Sequence, residues 1–433
     1  MVNQSTDYIW SFLGKLSSFI GVFSINMIIA RNLSVNDFAQ FSLLMSIIPS
    51  SVILFTFGQD ISSSKMLENS INWQTHVRNI LNILLLNFIL MLILFFIIGV
   101  FYKNHLTVLI TLFLIIFLSS VMRVVADLYR ANDNFSGFVL FNSIRSHGGI
   151  LFWIFFLSNL FILYYNDYLI LDNIFYAIAL ACSFVLLTFF ALQSNKKYFK
   201  ENFYKIVKAK SKNFFSFYKT SFYLMLSSLL IMLRFDHDIW VVSYFAGKND
   251  LALYASIIKI IALVMAPIAI FESLIPKKIA HLHFKNDLSA LESYVRRIST
   301  FMFIAGLSSI LLIYLFAEQI IGFTFGEFFT SAKGNLRLSL LAFTGNILLG
   351  PCASILLIIK YEKVNVLINL FFLFISVFLG SYLTSVYGYR GMVINYVIVF
   401  NLVHVIFYLF VLKYIKINPL PYFNIIKAFK YDQ

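Results

Sequence analysis

Charge is what this chain has least of. Asp, Glu, Lys and Arg make up 12% of its 433 residues, against 61% hydrophobic, and the mean hydropathy is +0.87. Soluble domains carry about 25% charged and about 45–50% apolar residues. A soluble fold of this length could not cover its surface with so few charges, which excludes soluble enzymes and DNA-binding modules. Cysteine is scarce as well. Cys182 and Cys352 both lie in apolar runs, with no metal-ligand spacing and no disulfide framework, and read as small buried hydrophobes. There is no Gly-x-x-x-x-Gly-Lys phosphate loop, no His-Glu-x-x-His and no long polar loop that could hold a catalytic site. The pair His281-x-His283 falls in a short connecting loop without further ligands. No cofactor, no metal and no catalytic residue is therefore expected, and the chain is not expected to be an enzyme. The amino terminus, MVNQSTDYIW, lacks a basic n-region and a small-residue cleavage site, so the first apolar stretch is expected to be retained as a helix.

What is present is a series of apolar runs long enough to cross a bilayer. A hydrocarbon core of about 30 Å takes about 20 helical residues. Runs free of charge cover 38–59, 79–102, 104–122, 146–166, 173–195, 298–317, 338–359, 364–389 and 391–412. Three more are interrupted by charge: 8–30 with Lys15, 220–246 with Arg234, Asp236 and Asp238, and 251–275 with Lys259 and Glu272. The expectation is an all-α polytopic membrane protein of about twelve spans, with kinks where Pro49, Pro267 and Pro351 lie in or beside them.

The net charge of +14 is a topology signal. Of the 33 lysines and arginines, 23 lie in alternate loops and the C-terminal tail, 6 in the opposite loops and 4 inside spans. That bias sets both termini in the cytoplasm and removes any need for a nucleic acid partner. The basic connector Lys196–Lys219 divides the chain into six spans before and six after, an N-terminal lobe at 1–205 and a C-terminal lobe at 206–433. It reads first as an amphipathic anchor on anionic membrane lipids.

The two halves share a local pattern. Asn36-Asp37-Phe38-Ala39-Gln40-Phe41-Ser42 follows the first span, and Asn249-Asp250-Leu251-Ala252-Leu253-Tyr254-Ala255-Ser256 follows the seventh. Both read as an Asn-Asp cap opening the next helix. Six spans separate them, which implies a parallel repeat about an axis along the membrane normal and two six-helix lobes around a central cavity.

The same residues resemble a known family. Ile29-Ala30-Arg31-Asn32-Leu33-Ser34, continuing to Phe38-Ala39-Gln40-Phe41-Ser42, is similar to the first-to-second helix junction of polysaccharide flippases. Phe57-Gly58-Gln59-Asp60 resembles the end of their second helix. Asp238-Ile239-Trp240 leading to Phe245-Ala246-Gly247 resembles their seventh-to-eighth junction, and Tyr387-Gly388-Tyr389-Arg390-Gly391 the turn before their twelfth helix. The resemblance is to the O-antigen (Wzx-type) branch of the multidrug/oligosaccharidyl-lipid/polysaccharide exporter superfamily. It implies movement of an undecaprenyl-pyrophosphate-linked oligosaccharide across the bacterial inner membrane by alternating access. A polysaccharide polymerase and a chain-length regulator are the expected protein partners.

Charges inside spans are the candidate site, because each costs about 2.5–3.5 kcal/mol at mid-bilayer. Arg234, Lys259, Lys15 and Arg145 are the candidate pyrophosphate-binding cations, arginine offering a fork of donors to phosphate oxygens. Two structural alternatives stand beside that reading: an ion pair of Arg234 with Asp238 at i+4, and snorkelling of Lys15 and Arg145 to the inner surface. Asp236, Asp238, Glu272 and His237 are the candidates for coupling to H⁺ or Na⁺, balancing neighbouring cations being their bland role. His147 and His404 read as interior histidines, and the asparagines scattered through the spans as interhelical hydrogen-bond donors. A multidrug or cation antiporter of the same superfamily, or a membrane enzyme of polysaccharide assembly, are the competing functions.

Overall fold

Helices account for nearly all of the computed structural model, which describes residues 4–59, 73–101, 106–131, 214–285, 287–359 and 361–422, with single positions at 137, 140, 154 and 183. Among the described residues four long helices precede residue 132: α1 (Gln4–Asn32), α2 (Val35–Thr56), α3 (Trp73–Phe101) and α4 (Leu106–Ala131). The later part holds α5 (Phe214–Phe245), α6 (Lys248–Phe284), α7 (Leu288–Leu315), α8 (Ala317–Phe325), α9 (Lys333–Leu340), α10 (Thr344–Leu349), α11 (Cys352–Ile358), α12 (Glu362–Tyr387) and α13 (Tyr389–Phe410). Among the described residues there is no strand. Six helices among the described residues are long and apolar enough to cross a membrane, and a seventh is added if the bent pair Glu327–Leu349 and Cys352–Ile358 forms one span. The runs expected at 146–166 and 173–195, apart from positions 154 and 183, and with them Arg145, His147 and Cys182, lie outside the described residues, as does most of the basic connector. Every other expected run except 338–359 falls on one described helix.

Local sequence explains where helices start and break. Ser34 caps α2: its hydroxyl accepts the Asp37 N–H at 3.2 Å, an N-cap bond, and donates to the Asp37 carboxylate at 2.6 Å. Asp287 caps α7, accepting the Ala290 N–H at 2.9 Å and the Ser289 hydroxyl at 2.8 Å. Those bonds hold its carboxyl below the usual carboxylate range. The expected Asn-Asp caps are therefore displaced. In α6 the cap position is Gly247, without a side-chain bond, and Asp250 instead accepts the Tyr389 N–H at the start of α13, at 3.1 Å.

The run 338–359 is not one straight span. It breaks at Gly350-Pro351 with a bend of 51°. Gly350 has φ +77°, and a Cβ there would come within 2.4 Å of Ser299 Oγ and 2.7 Å of the Pro419 carbonyl. Pro351, with no N–H, sits at the N-cap of α11. Helices α2 and α6, by contrast, continue through Pro49 and Pro267. The connection expected at 318–337 is also helical, made of α8, a 3-10 turn at Glu327–Ala332 and the start of α9. His281 and His283 belong to the last turn of α6 rather than to a loop.

Contacts gather the chain into two compact units. Unit 1 comprises Met1–Ile25 and Leu44–Met232; unit 2 comprises Asn26–Leu43 and Leu233–Gln433. In unit 1, Ile53, Ile80, Ile83, Val124, Phe217 and Met225 form an apolar core. In unit 2, α12 and α13 form a tight hairpin. Gly388 turns it at φ +61°, and a Cβ on Gly391 would lie 2.0 Å from the Leu383 carbonyl oxygen.

Candidate functional site

A polar cluster is buried within unit 2, on α5, α6, α12 and α13. The stretch Arg234–Asp238 supplies its centre. One helical turn places Arg234 and Asp238 on one face of α5, yet their hydrogen bonds diverge. Arg234 Nη1 donates to Asn369 Oδ1 on α12. Its guanidinium also lies over the rings of Phe400 on α13, at 5.6 Å, and of Phe235, at 5.8 Å. Asp238 Oδ2 accepts the Tyr254 hydroxyl of α6 at 2.7 Å, while Oδ1 accepts the Ile239 N–H at 2.8 Å. The i,i+4 ion pair is thus replaced by two separate interhelical bonds.

Asn369 is itself held in place. Its Nδ2 donates to Asn365 Oδ1 at 2.7 Å and to the Asn365 carbonyl at 2.8 Å, and Asn365 Nδ2 donates to the Ala353 carbonyl at 3.1 Å. The amide oxygen that faces Arg234 is therefore fixed by α11 and α12.

His237 joins a second chain. Its Nδ1 lies 3.0 Å from the Leu233 carbonyl and its Nε2 lies 2.8 Å from Ser376 Oγ. A carbonyl only accepts, so a neutral ring with its hydrogen on Nδ1 satisfies both contacts. Ser376 Oγ in turn accepts Asn395 Nδ2 at 2.9 Å. Protonation of His237 would turn Nε2 into a donor and force the Ser376 hydroxyl hydrogen to a new acceptor.

The other expected residues are distributed as follows. Asp236 is fully buried on α5, and Lys259 is 9% exposed on α6. Lys15 lies on α1 and Glu272 on α6, with side chains outside the description. The structure therefore keeps Arg234, His237 and Asp238 together on one stretch of α5 in unit 2, each with its own partners on α6 or α12, with Asp236 and Lys259 buried on α5 and α6. His404 donates from Nδ1 to the Phe400 carbonyl at 2.7 Å and its ring packs tilted against the Phe400 ring at 4.7 Å, as an interior histidine should. The asparagines largely join helices as expected: Asn87 donates to Phe55 O at 2.9 Å in unit 1, and in unit 2 Asn401 Oδ1 accepts the Gly345 N–H at 2.7 Å.

Sequence reasoning missed Tyr254 and Ser376 as partners of the charged residues. Tyr254 stands in the repeated motif, but only the packing of α6 on α5 shows that its hydroxyl meets Asp238. Among the described residues no group of His, Cys, Asp or Glu is arranged to hold a metal ion.

With this geometry in view, the likenesses to known proteins are informative. The fold is similar to an inward-facing multidrug resistance MATE family transporter of the MOP superfamily (TM-score 0.66, 16% identity, covering 92% of this chain and 93% of that one). It is similar to the lipid II flippase MurJ in an inward closed conformation (0.69, 13% identity, 94% and 87%). A Pyrococcus furiosus MOP superfamily transporter, described as having a binding pocket of reverse polarity that suggests a different function, also matches (0.61, 16%, 93% and 93%). No curated protein matches the sequence significantly. The fold is thus the two-lobed, all-helical, multi-pass membrane fold of these transporters. Residues 6–277 match the family of polysaccharide biosynthesis proteins, and the chain belongs to that family.

Proposed function

We propose that this chain is a flippase that carries an undecaprenyl-pyrophosphate-linked oligosaccharide, an O-antigen or related surface-polysaccharide repeat unit, across the bacterial inner membrane. The two lobes, 1–205 and 206–433, alternate access to a central cavity while both termini stay in the cytoplasm. The observation that carries the reading is the pair of cations inside long apolar helices, Arg234, half-buried on α5, and Lys259, buried on α6. Buried cations are expensive in a membrane and mark a pathway or a counter-charge. Asn369 engages one nitrogen of Arg234 and two rings flank its plane. The rest of the guanidinium fork suits the oxygens of a pyrophosphate. Lys15 and Arg145 are the further cations of the same pathway.

Net transport needs a free-energy source, and the sequence has no nucleotide-binding motif. An H⁺ or Na⁺ gradient acting at Asp236, His237, Asp238 or Glu272 is the supply that these acids and this histidine suit. An ion bound there changes the field at Arg234 and Lys259 and biases one lobe arrangement. A polymerase and a chain-length regulator would take up the product.

The likeness to MATE transporters favours a second reading, a multidrug or cation antiporter. It is the weaker one, because Asp238 is already engaged by Tyr254 and Ile239 while the same helices carry Arg234, half-buried, and Lys259, buried. A deletion strain separates the two. The first reading expects loss of surface polysaccharide, restored by the wild-type chain and not by Arg234→Ala; the second expects drug sensitivity with polysaccharide intact.

A further inference from the structure

The chain that follows α13 is laid along α7. Helix α13 gives way to a π turn at Val411–Ile415, and Lys416, at φ 61°, ends it in the left-handed region. Residues 416–422 then run without helix or strand. Ile415, Ile417, Pro419 and Pro421 are buried, the alternation of an extended chain with one face covered. The other alternate positions are bonded to α7. The Asn418 N–H donates to Glu292 Oε2 at 3.1 Å, the Leu420 carbonyl accepts Arg296 Nε at 3.2 Å, and the Tyr422 N–H donates to Thr300 Oγ1 at 2.9 Å. Glu292, Arg296 and Thr300 lie four residues apart and so on one face of α7. Four helical residues rise about 6 Å and two residues of extended, proline-rich chain about 6.2 Å, so the two repeats stay in step. The Leu420 N–H is met by Asn418 Oδ1 at 3.1 Å, and the prolines at 419 and 421 carry no N–H. Arg296 also lies over the Tyr422 ring at 4.4 Å. A segment whose backbone donors are all met in this way is part of the fold.

The segment passes over the break in the bent span. A Cβ on Gly350 would lie 2.7 Å from the Pro419 carbonyl oxygen, so only glycine lets the two backbones come this close. The break sets where α11 begins, and from α11 a line of hydrogen bonds leads to the candidate site. The Ala353 carbonyl accepts Asn365 Nδ2, Asn365 holds the Asn369 amide, and Asn369 Oδ1 accepts Arg234. All of these residues belong to unit 2.

We propose that residues 416–422 form a strap that positions Arg234. By holding the Gly350-Pro351 break against α7, the strap fixes α11 and, through Asn365 and Asn369, the direction of the guanidinium. Arg234 is the group that meets the ligand; Glu292, Arg296 and Thr300 are positioning residues that act through it. That the ligand is a pyrophosphate rests on the transport reading, whereas the link from strap to Arg234 does not. A segment that only finished α13 would leave Arg234 untouched.

The test uses the full chain. Thr300→Val removes the acceptor of the Tyr422 N–H, and Thr300→Ser keeps a hydroxyl there. In thermal unfolding in detergent, the fall caused by Thr300→Val is expected to be about half as large once Arg234→Met is present, whereas independent sites add. In vesicles, Thr300→Val is expected to raise the concentration of labelled undecaprenyl-pyrophosphate-linked oligosaccharide needed for half-maximal flipping about threefold, the low end of coupling between interacting sites. The maximal rate is expected to stay near that of the wild type, and Thr300→Ser to restore the wild-type concentration. If Thr300→Val prevents insertion, Glu292→Leu, with Glu292→Gln as its conservative partner, tests the same strap. Strict additivity of the unfolding shifts would overturn the link to Arg234. So would an unchanged half-maximal concentration in a chain whose flipping is lost with Arg234→Ala. Non-additive unfolding in a chain that flips nothing even as wild type would support the link and overturn the substrate reading.

Discussion

Asp238 and Tyr254 meet at 2.7 Å across α5 and α6, hydroxyl to carboxylate, both buried. The contact anchors the far end of the Arg234–Asp238 stretch while Arg234 itself is turned toward Asn369. Removing the hydroxyl with Tyr254→Phe should leave the helices packed but cost about 1 kcal/mol, the scale of hydrogen bonds between membrane helices. A double-mutant cycle with Asp238→Asn, read by thermal unfolding in detergent, should show non-additivity of that order. Strict additivity would mean that the two side chains do not interact.

Asn369→Leu takes away the acceptor of Arg234 and should destabilise the chain by about 1–3 kcal/mol, the cost of stranding a buried donor. Adding Arg234→Met should restore much of the lost stability, because the leucine then faces an apolar neighbour. A double variant less stable than Asn369→Leu alone would contradict this assignment.

The α12–α13 hairpin depends on glycine. At Gly391 a Cβ would fall 2.0 Å from the Leu383 carbonyl oxygen, and the atoms in the way are backbone. Gly391→Ala should therefore lower the unfolding temperature more than Gly322→Ala, where the nearest atom, Thr330 Cγ2, is 3.3 Å away. Equal unfolding temperatures would show that the hairpin yields easily.

Topology follows from charge. Reporter fusions at Lys205 and Lys430 should report cytoplasm, and fusions at Asn166 and Lys333 the opposite side. A periplasmic signal at Lys205 would overturn the twelve-span arrangement.

The helical class was plain in the sequence because an uncharged run of about 20 residues has few other fates. Helix boundaries were less plain, since polar residues prolong helices beyond the bilayer: α6 runs to Phe284, well past the apolar run that ends near 275. The break at Gly350-Pro351 was announced by its proline. The positive-φ turn at Phe57-Gly58 was not, because what makes it necessary is the close approach of α5, distant in sequence. The same holds for the site. Arg234, His237 and Asp238 stood out as charges where charge is costly, but their partners Asn369, Ser376 and Tyr254 are common residue types that gain meaning only from helix packing. The i,i+4 spacing of Arg234 and Asp238 suggested a pair, and tertiary partners drew the two apart.

The central claim is that Arg234 and Lys259, cations inside apolar helices, recognise the pyrophosphate of a lipid-linked sugar. Its most direct test is flipping of fluorescent undecaprenyl-pyrophosphate-linked oligosaccharide in vesicles reconstituted with wild-type chain, Arg234→Ala, Lys259→Ala and Arg234→Lys. The account predicts rapid flipping by the wild type, at least tenfold loss in both alanine variants at equal insertion, and partial activity in Arg234→Lys, where charge remains but the fork is lost. Wild-type rates in both alanine variants would contradict it.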